Sequence, residues 1–105
     1  MSLSDIPEIE IIKKRVEILG TKWVILIIRE LLIHKVLRYG EIKKKLGQIS
    51  TKTLTEKLRI LEKEKIIKRK IYPEIPPKVE YSLTQKGQAI KGVLSEMKKW
   101  HKTWG

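Results

Sequence analysis

The apolar positions in the first third of the chain recur at helical spacing. They lie three, four and three residues apart, at Ile9, Ile12, Val16 and Leu19. This spacing predicts an amphipathic helix that ends at Gly20, a residue type suited to helix termini. The next segment, from residue 22 to about residue 34, has almost no polar face. A helix that is apolar on nearly all sides is expected at the centre of the protein.

Two shorter helical segments follow and are separated by a tight turn. The first covers residues 39–46, with Ile42 and Leu46 facing inward, and it ends at Gly47. Ser50 is a suitable N-cap for the second, which is predicted to run to about Lys65 with leucines along one face. Two short helices joined by a three-residue turn that contains glycine form a helix-turn-helix, predicted here over residues 39–65.

The hydrophobic period changes from helical to alternating after this pair. Apolar and charged residues alternate from Ile67 to Ile71, and a second alternating run ends at Leu83. The intervening segment, residues 73–78, contains three prolines that lack a backbone N–H, so it is predicted to be an unpaired projecting loop. Residues 66–83 are therefore predicted to form a β-hairpin, which directly after a helix-turn-helix is a wing.

The last segment, residues 84–104, is predicted to be a helix with a coiled-coil-like seam that begins at the cap Thr84. Three interpretations are open: packing on the chain's own core, pairing with a second copy, or lying on a membrane. The helix at 22–34 already supplies a core, so pairing of the two terminal helices (9–20 and 84–104) in a homodimer is favoured. The predicted interface comprises Ile9, Ile12, Val16, Ile90, Val93, Met97, Trp100 and Trp104.

Length and charge narrow this picture further. A chain of 105 residues is the size of one domain, so the whole of 1–105 is predicted to be a single, mainly α domain with a small β-hairpin. The formal net charge is +12, and residues 35–72 hold thirteen basic against four acidic residues. Such a local excess favours a binding face for a polyanion over a generally solvated surface. With no cysteine, no signal-peptide pattern and no long apolar run, the protein is expected to be cytoplasmic and without disulfides.

The predicted fourth helix and the wing carry the candidate DNA contacts. These are Ser50, Lys52, Thr53, Glu56, Lys57 and Arg59 on the helix, and Lys68, Arg69, Lys70 and Lys78 on the wing. Lysine and arginine donate to guanine in the major groove, and glutamate accepts from cytosine. Glu56 has an equal alternative, an intrahelical pair with Lys52 or Lys63. The wing cations have one as well, because charges on a small sheet also prevent pairing with foreign strands.

Nothing in the residue pattern favours catalysis or a cofactor. The two histidines, His34 and His101, lie apart from each other and from carboxylate pairs at metal-ligand spacing. The sequence also lacks a nucleophile elbow and a phosphate-cradling glycine loop. The chain is therefore expected to be neither an enzyme nor a metal or cofactor binder.

Five segments between residues 10 and 100 resemble the HxlR-type transcriptional regulators, winged-helix relatives of the MarR group. They are LGTKW (19–23), IREL (28–31), RYGEI (38–42), IS with LT and Leu58 (49–58), and YPEIPPKVEYSLT (72–84). The resemblance implies a homodimer built from the first and last helices, with the fourth helix in the major groove and the wing on flanking DNA. It also implies a sensing cysteine in several members, whose place is taken here by Glu10. The effector therefore stays unknown.

Two other functions remain open on the sequence alone. The charge would also suit a non-specific architectural or RNA-binding protein, and a winged helix that has lost DNA binding would be a protein-interaction module. The basic segment 35–72 argues against the second.

Overall fold

A computed structural model describes residues 8–105, in which there are five helices and three strands. The helices are α1 (Ile9–Leu19), α2 (Lys22–His34), α3 (Tyr39–Leu46), α4 (Thr51–Lys63) and α5 (Gln85–Trp104). The strands are β1 (Val36–Arg38), β2 (Ile67–Tyr72) and β3 (Lys78–Leu83). The mainly α winged helix-turn-helix predicted from the sequence is confirmed, with every predicted helix in its place.

Helix α2 forms the centre of the core. Val24, Ile27, Ile28 and Leu31 are almost completely buried, and the helix contacts all four other helices and strands β1 and β3. One acidic residue, Glu30, is buried in it, and its carboxylate is paired with Arg29 and His34. A buried carboxylate that is paired in this way is tolerated. Glu30 therefore does not prevent the apolar side chains of α2 from packing in the core.

The sheet has three antiparallel strands in the order β1-β3-β2. The sequence predicted only the β2–β3 hairpin, and that prediction was incomplete because β1 has three residues, too few to show an alternating pattern. Its middle residue, Leu37, is buried and lies opposite Tyr81. One face of the sheet therefore packs on the helices, whereas the other, with Lys68 and Ser82, forms an outer face.

Two element boundaries differ from the prediction. Helix α4 ends at Lys63 rather than Lys65, because Lys65 has a left-handed φ of 59° and the N–H of Ile66 donates to the carbonyl oxygen of Leu61. Lys78, predicted in the loop, begins β3 and is paired with Tyr72. The wing loop is thus residues 73–77, all of them exposed.

The junction between the wing and α5 requires glycine at position 87. The hydroxyl of Thr84 accepts a hydrogen bond from the N–H of Gly87 at 3.1 Å, which caps α5. A Cβ atom on Gly87 would collide with the carbonyl oxygen of Ile66, whereas one on Gly92 would meet nothing within 4 Å. The two glycines of α5 therefore differ sharply in the room around them.

We expect Gly87→Ala to lower the free energy of unfolding by about 1–3 kcal/mol, because the backbone at Ile66 must move to admit the methyl group. Gly92→Ala is the matched control on the same helix, and we expect it to raise stability by about 0.5–1 kcal/mol through helix propensity. Urea unfolding followed by circular dichroism measures both. Equal effects of the two substitutions would contradict the close approach at Gly87.

Candidate nucleic-acid interface

Helices α3 and α4 are held together by a tyrosine at the start of α3. The hydroxyl of Tyr39 lies 3.2 Å from the carbonyl oxygen of Thr51, to which it donates, and 3.2 Å from the hydroxyl of Thr55. Both partners lie in the first turns of α4. Tyr39 therefore fixes the position of the N-terminal half of α4 relative to α3.

The turn between the two helices is also tightly determined. Gly47 ends α3 with a φ of 68°, a conformation that side-chain-bearing residues rarely adopt. The Lys43 ammonium donates to the carbonyl oxygen of Ile49 at 3.3 Å, and the Ile49 side chain is buried in the core. These contacts fix the backbone conformation of the turn and thus the position at which α4 begins.

Ser50 caps α4 as the sequence predicted. Its hydroxyl oxygen accepts from the N–H of Thr53 at 3.0 Å and lies 2.9 Å from the Thr53 hydroxyl. Thr53, a predicted DNA contact, is consequently half-buried, and its hydroxyl belongs to the cap. Ser50 itself is exposed at the positive end of the helix dipole, a position that favours a phosphate.

The face of α4 opposite the core is a row of charged side chains. Leu54, Leu58 and Leu61 are buried, so the other predicted contacts point outward. Lys52, Glu56 and Arg59 are exposed, and Lys57 is half-exposed. Within the described part of the chain, no ion pair involves any of these four residues, so the intrahelical pairing considered for Glu56 is absent there.

The wing lysines Lys70 and Lys78 lie together around Tyr72 on the outer face of the sheet. Their ammonium groups are 4.8 Å and 4.9 Å from the centroid of its ring, within the range of cation–π contacts. Nothing in the sequence pattern marks Tyr72 as part of this surface. The two cations are thereby placed next to the exposed loop at residues 73–77.

Arg69 occupies the other face of the wing, the one turned towards α4. Its Nε atom lies 3.5 Å from the Oε1 atom of Glu62, and the side chain is 45% exposed. Arg69 pairs across the sheet with Tyr81. Burial raises the pKa of the Tyr81 hydroxyl above its usual 10, and the Arg69 charge partly opposes this rise. Arg69 thus bridges the wing to α4, a contact that a sequence pattern does not reveal.

The terminal helices leave an unfilled apolar groove. It lies between α1, α2 and α5 and encloses a cavity of about 330 Å³, with Val16, Val93 and Met97 among its lining residues. The exposed members of the predicted interface are Ile12, Val16, Val93, Met97, Trp100 and Trp104. Ile90, by contrast, is buried in the core of the chain itself, and Ile9 is half-buried.

Metal-binding clusters and membrane-spanning helices are absent from the described residues. Between residues 8 and 105, no three His, Cys, Asp or Glu side chains are grouped so as to hold a metal ion. No helix in that part of the chain is long and apolar enough to cross a membrane.

Comparisons with known proteins agree with this geometry. Residues 18–105 match the HxlR-like helix-turn-helix family. The HTH-type transcriptional regulator YvaP of Bacillus subtilis is 42% identical over 92 residues, which is 88% of this chain and 84% of that protein. An HTH-type regulator from Synechocystis is 49% identical over 85% of this chain and 65% of its own length. The chain belongs to the HxlR-like helix-turn-helix family.

Solved structures of regulators share the whole fold of this HxlR-like protein. The reduced form of the B. subtilis regulator YodB is 37% identical, with a TM-score of 0.81 over 94% of this chain and 93% of that one. A MarR-family regulator from Enterococcus faecalis has a TM-score of 0.84 at 31% identity, covering 95% and 90% of the two chains. The HxlR-like protein is thus a DNA-binding transcriptional regulator with a winged helix.

We expect Tyr39→Phe to lower the free energy of unfolding by about 0.5–1.5 kcal/mol, because the hydroxyl loses its bonds to α4. Thr55→Val removes one of the partners, and Tyr39→Phe with Thr55→Val closes a double-mutant cycle. We expect the cycle to show a coupling energy of at least about 0.5 kcal/mol. Strictly additive effects in chemical denaturation would show that the two hydroxyls do not interact.

Proposed function

We propose that this protein binds a specific, pseudo-palindromic operator as a homodimer and thereby regulates transcription. The observation that carries the proposal is the rigidly held α4, whose exposed Lys52, Glu56 and Arg59 have no partner among the described residues. An α-helix fits the major groove of B-DNA, and side chains on its outer face reach base edges. The exposed face of α4 is therefore the proposed DNA-reading surface.

Arg59 and Glu56 are the proposed base readers with the clearest chemistry. A guanidinium donates two hydrogen bonds to the O6 and N7 atoms of guanine, and a carboxylate accepts from the N4 amino group of cytosine. A guanine and a cytosine within one half-site are therefore expected features of the operator. Lys52 lies one turn before Glu56 and extends the reading face towards the helix N-terminus.

Phosphate contacts are proposed for the groups that surround this face. Ser50 presents the N-terminus of α4, and Lys57 lies on its flank. Lys70 and Lys78 flank Tyr72 beside the wing loop and suit a phosphate or the edge of the minor groove. Arg69 completes the proposed wing set, although its charge is shared with Glu62. Lys68, which the sequence groups with these cations, lies at the base of the hairpin opposite Ser82 and is not among the proposed phosphate contacts.

The homodimer is proposed from the apolar surface of the terminal helices. The protomer measures 59 × 27 × 26 Å, so it is elongated, and the two tryptophans near the end of α5 are 66% and 74% exposed. Tryptophan is enriched at protein interfaces, and an exposed apolar groove marks an interaction surface. A two-fold dimer would place its α4 helices in successive major grooves about 34–36 Å apart.

The signal that controls this regulator must differ from thiol oxidation. The related YodB has been solved in reduced and diamide-treated forms, and HypR in reduced and oxidized forms. The 105 residues of this chain contain no cysteine, and Glu10 stands at the place where the family resemblance puts a sensing cysteine. We therefore propose that a small-molecule effector, and not thiol oxidation, is the signal.

Arg59→Ala tests the reading face. We expect it to weaken binding to the preferred operator by about 1–3 kcal/mol and binding to random DNA much less, because the loss falls on a base contact. Binding to both DNAs is measured by fluorescence anisotropy at one salt concentration, after the operator has been selected from genomic fragments.

Lys57→Ala is the matched control on the same helix. As a phosphate contact it should weaken binding to both DNAs about equally and reduce the log-log salt slope by about 1. If no fragment is selected over the others, and Arg59→Ala behaves like Lys57→Ala, the protein is a non-specific basic binder instead.

Val93→Glu tests the dimer interface. We expect it to turn the dimer into a monomer, because the interface would bury an unpaired carboxylate. Ile71→Glu is the control, since Ile71 lies on the wing and is as exposed as Val93, at 57% against 55%. Sedimentation equilibrium gives the mass of each variant. A dimeric Val93→Glu variant, or a monomeric wild type, would place the interface elsewhere or remove it.

A further inference from the structure

A second cavity lies on the outer face of the sheet, away from the dimer groove. It has a volume of about 600 Å³ and is bounded by the end of α2, the paired strands and the first half of α5. Its lining residues are Leu31, Leu32, Lys35, Val36, Lys68, Ser82, Leu83, Gln88 and Lys91. Pockets of about 300–1,000 Å³ are the usual size for small-molecule sites.

The lining combines an apolar part with a cationic one. Leucines and a valine supply apolar surface, and Ser82 and Gln88 supply hydrogen-bonding groups. Lys35, Lys68 and Lys91 are all exposed, and none of the nine lining residues is acidic. No salt bridge in the described part of the chain involves these three lysines. The cavity is thus a concentration of positive charge beside apolar surface.

The backbone at Lys35 is strained. This residue ends α2 with a φ of 67° and a ψ of −50°, a combination that is rare for a residue with a side chain. Gly47 serves the corresponding position at the end of α3. Glycine would adopt this turn with less strain, so the fold alone does not account for the lysine at the cavity.

The position of the cavity favours a small ligand over a DNA phosphate. Lys68 pairs with Ser82 at the base of the hairpin, about 13 Å along the strand from Tyr72 and the wing loop. It faces the outer side of the sheet, whereas its neighbour Arg69 faces α4. A concave site at the base of the wing suits a compact molecule better than a DNA backbone.

We propose that this cavity binds a small organic anion, a carboxylate or phosphate monoester on an apolar body. The anionic group binds the three ammonium groups, and the apolar body packs on the leucines. As a regulatory site it rests on the proposed function. An anion there joins the wing to α2 and α5 and cancels positive charge at the base of the wing, so it lowers the affinity for DNA.

Isothermal titration of the full-length protein without DNA tests the site, with phenyl phosphate as the probe. Inorganic phosphate lacks the apolar body, and benzyl alcohol lacks the charge. We expect phenyl phosphate to bind at least about tenfold more tightly than either. Lys68→Gln and Lys91→Gln should each weaken this binding about tenfold, because each removes a charge-assisted contact.

Lys102→Gln is the matched control, since it removes the same charge from an exposed position of the same helix α5. It should leave the affinity for phenyl phosphate unchanged. Equal weakening by Lys102→Gln, or no preference for phenyl phosphate over inorganic phosphate, would overturn the proposal. So would a loss of DNA affinity in Lys68→Gln and Lys91→Gln without any anion binding, which would make these lysines DNA contacts.

Because the titration contains no DNA, its outcome is independent of whether the protein selects an operator. A second arm adds saturating phenyl phosphate to the anisotropy assay with operator DNA. We expect a several-fold loss of DNA affinity in the wild type and a clearly smaller loss in Lys91→Gln at the same concentration, because tenfold weaker binding leaves the variant's cavity only partly occupied. Binding of the probe without any change in DNA affinity would overturn the regulatory role.

Discussion

The burial of α2 is the constraint on which the other elements depend. Its side chains contact every other helix, so each of those helices has one apolar face fixed against it. For α4 that face is the leucine row, and the opposite face is thereby held towards solvent. The charged row on α4 is therefore a consequence of core packing, since any rotation of the helix would expose leucines.

Most of the positive charge of the chain is not neutralised within the described part of the protein. A net charge of +12 on 105 residues opposes folding through self-repulsion, and few of the bases are neutralised by ion pairs within the described residues. The pairs that join separate elements, Arg69 with Glu62 and Arg15 with Glu64, connect α4 and its C-cap residue to the wing and to α1. The remaining cations keep their charge available for an external polyanion, whose binding would relieve the repulsion.

The sequence predicted the helices because α1, α3, α4 and α5 each show an apolar stripe and a recognisable terminal residue, and because α2 is apolar on nearly all sides. It failed for β1, whose three residues carry no period. It also could not show which face of the wing meets α4, so Arg69 was grouped with Lys68 and Lys70 although it points the other way. Alternation reports that neighbours face opposite sides, whereas only tertiary packing decides which side is occupied.

Tertiary packing, which the sequence pattern does not show, also determines the hydrogen bonds of Tyr39 to α4 and the lining of the outer cavity. Tyr39 and Thr55 are sixteen residues apart, and their contact depends on the angle between two helices. Lys35 ends α2, Lys68 lies in β2 and Lys91 lies in α5, so only the packing of these elements places them around one cavity. In the sequence they are three lysines among many, and nothing in their spacing predicts a shared site.

The length of α5 suggests how a ligand at the outer cavity would reach a DNA-binding surface on another subunit. The helix has 20 residues and is therefore about 30 Å long. Lys91 lies in its first half, and the exposed tryptophans of the proposed interface lie at its far end. From Lys91 to Trp104 the helix spans about 20 Å, so a tilt of about 6° at the cavity would move that end by about 2 Å. In a two-fold dimer both α5 helices would tilt, so the separation of the two α4 helices would change while each α4 kept its own packing. The loss of positive charge at the wing and a changed separation of the two α4 helices would then both lower the affinity for an operator of fixed half-site spacing.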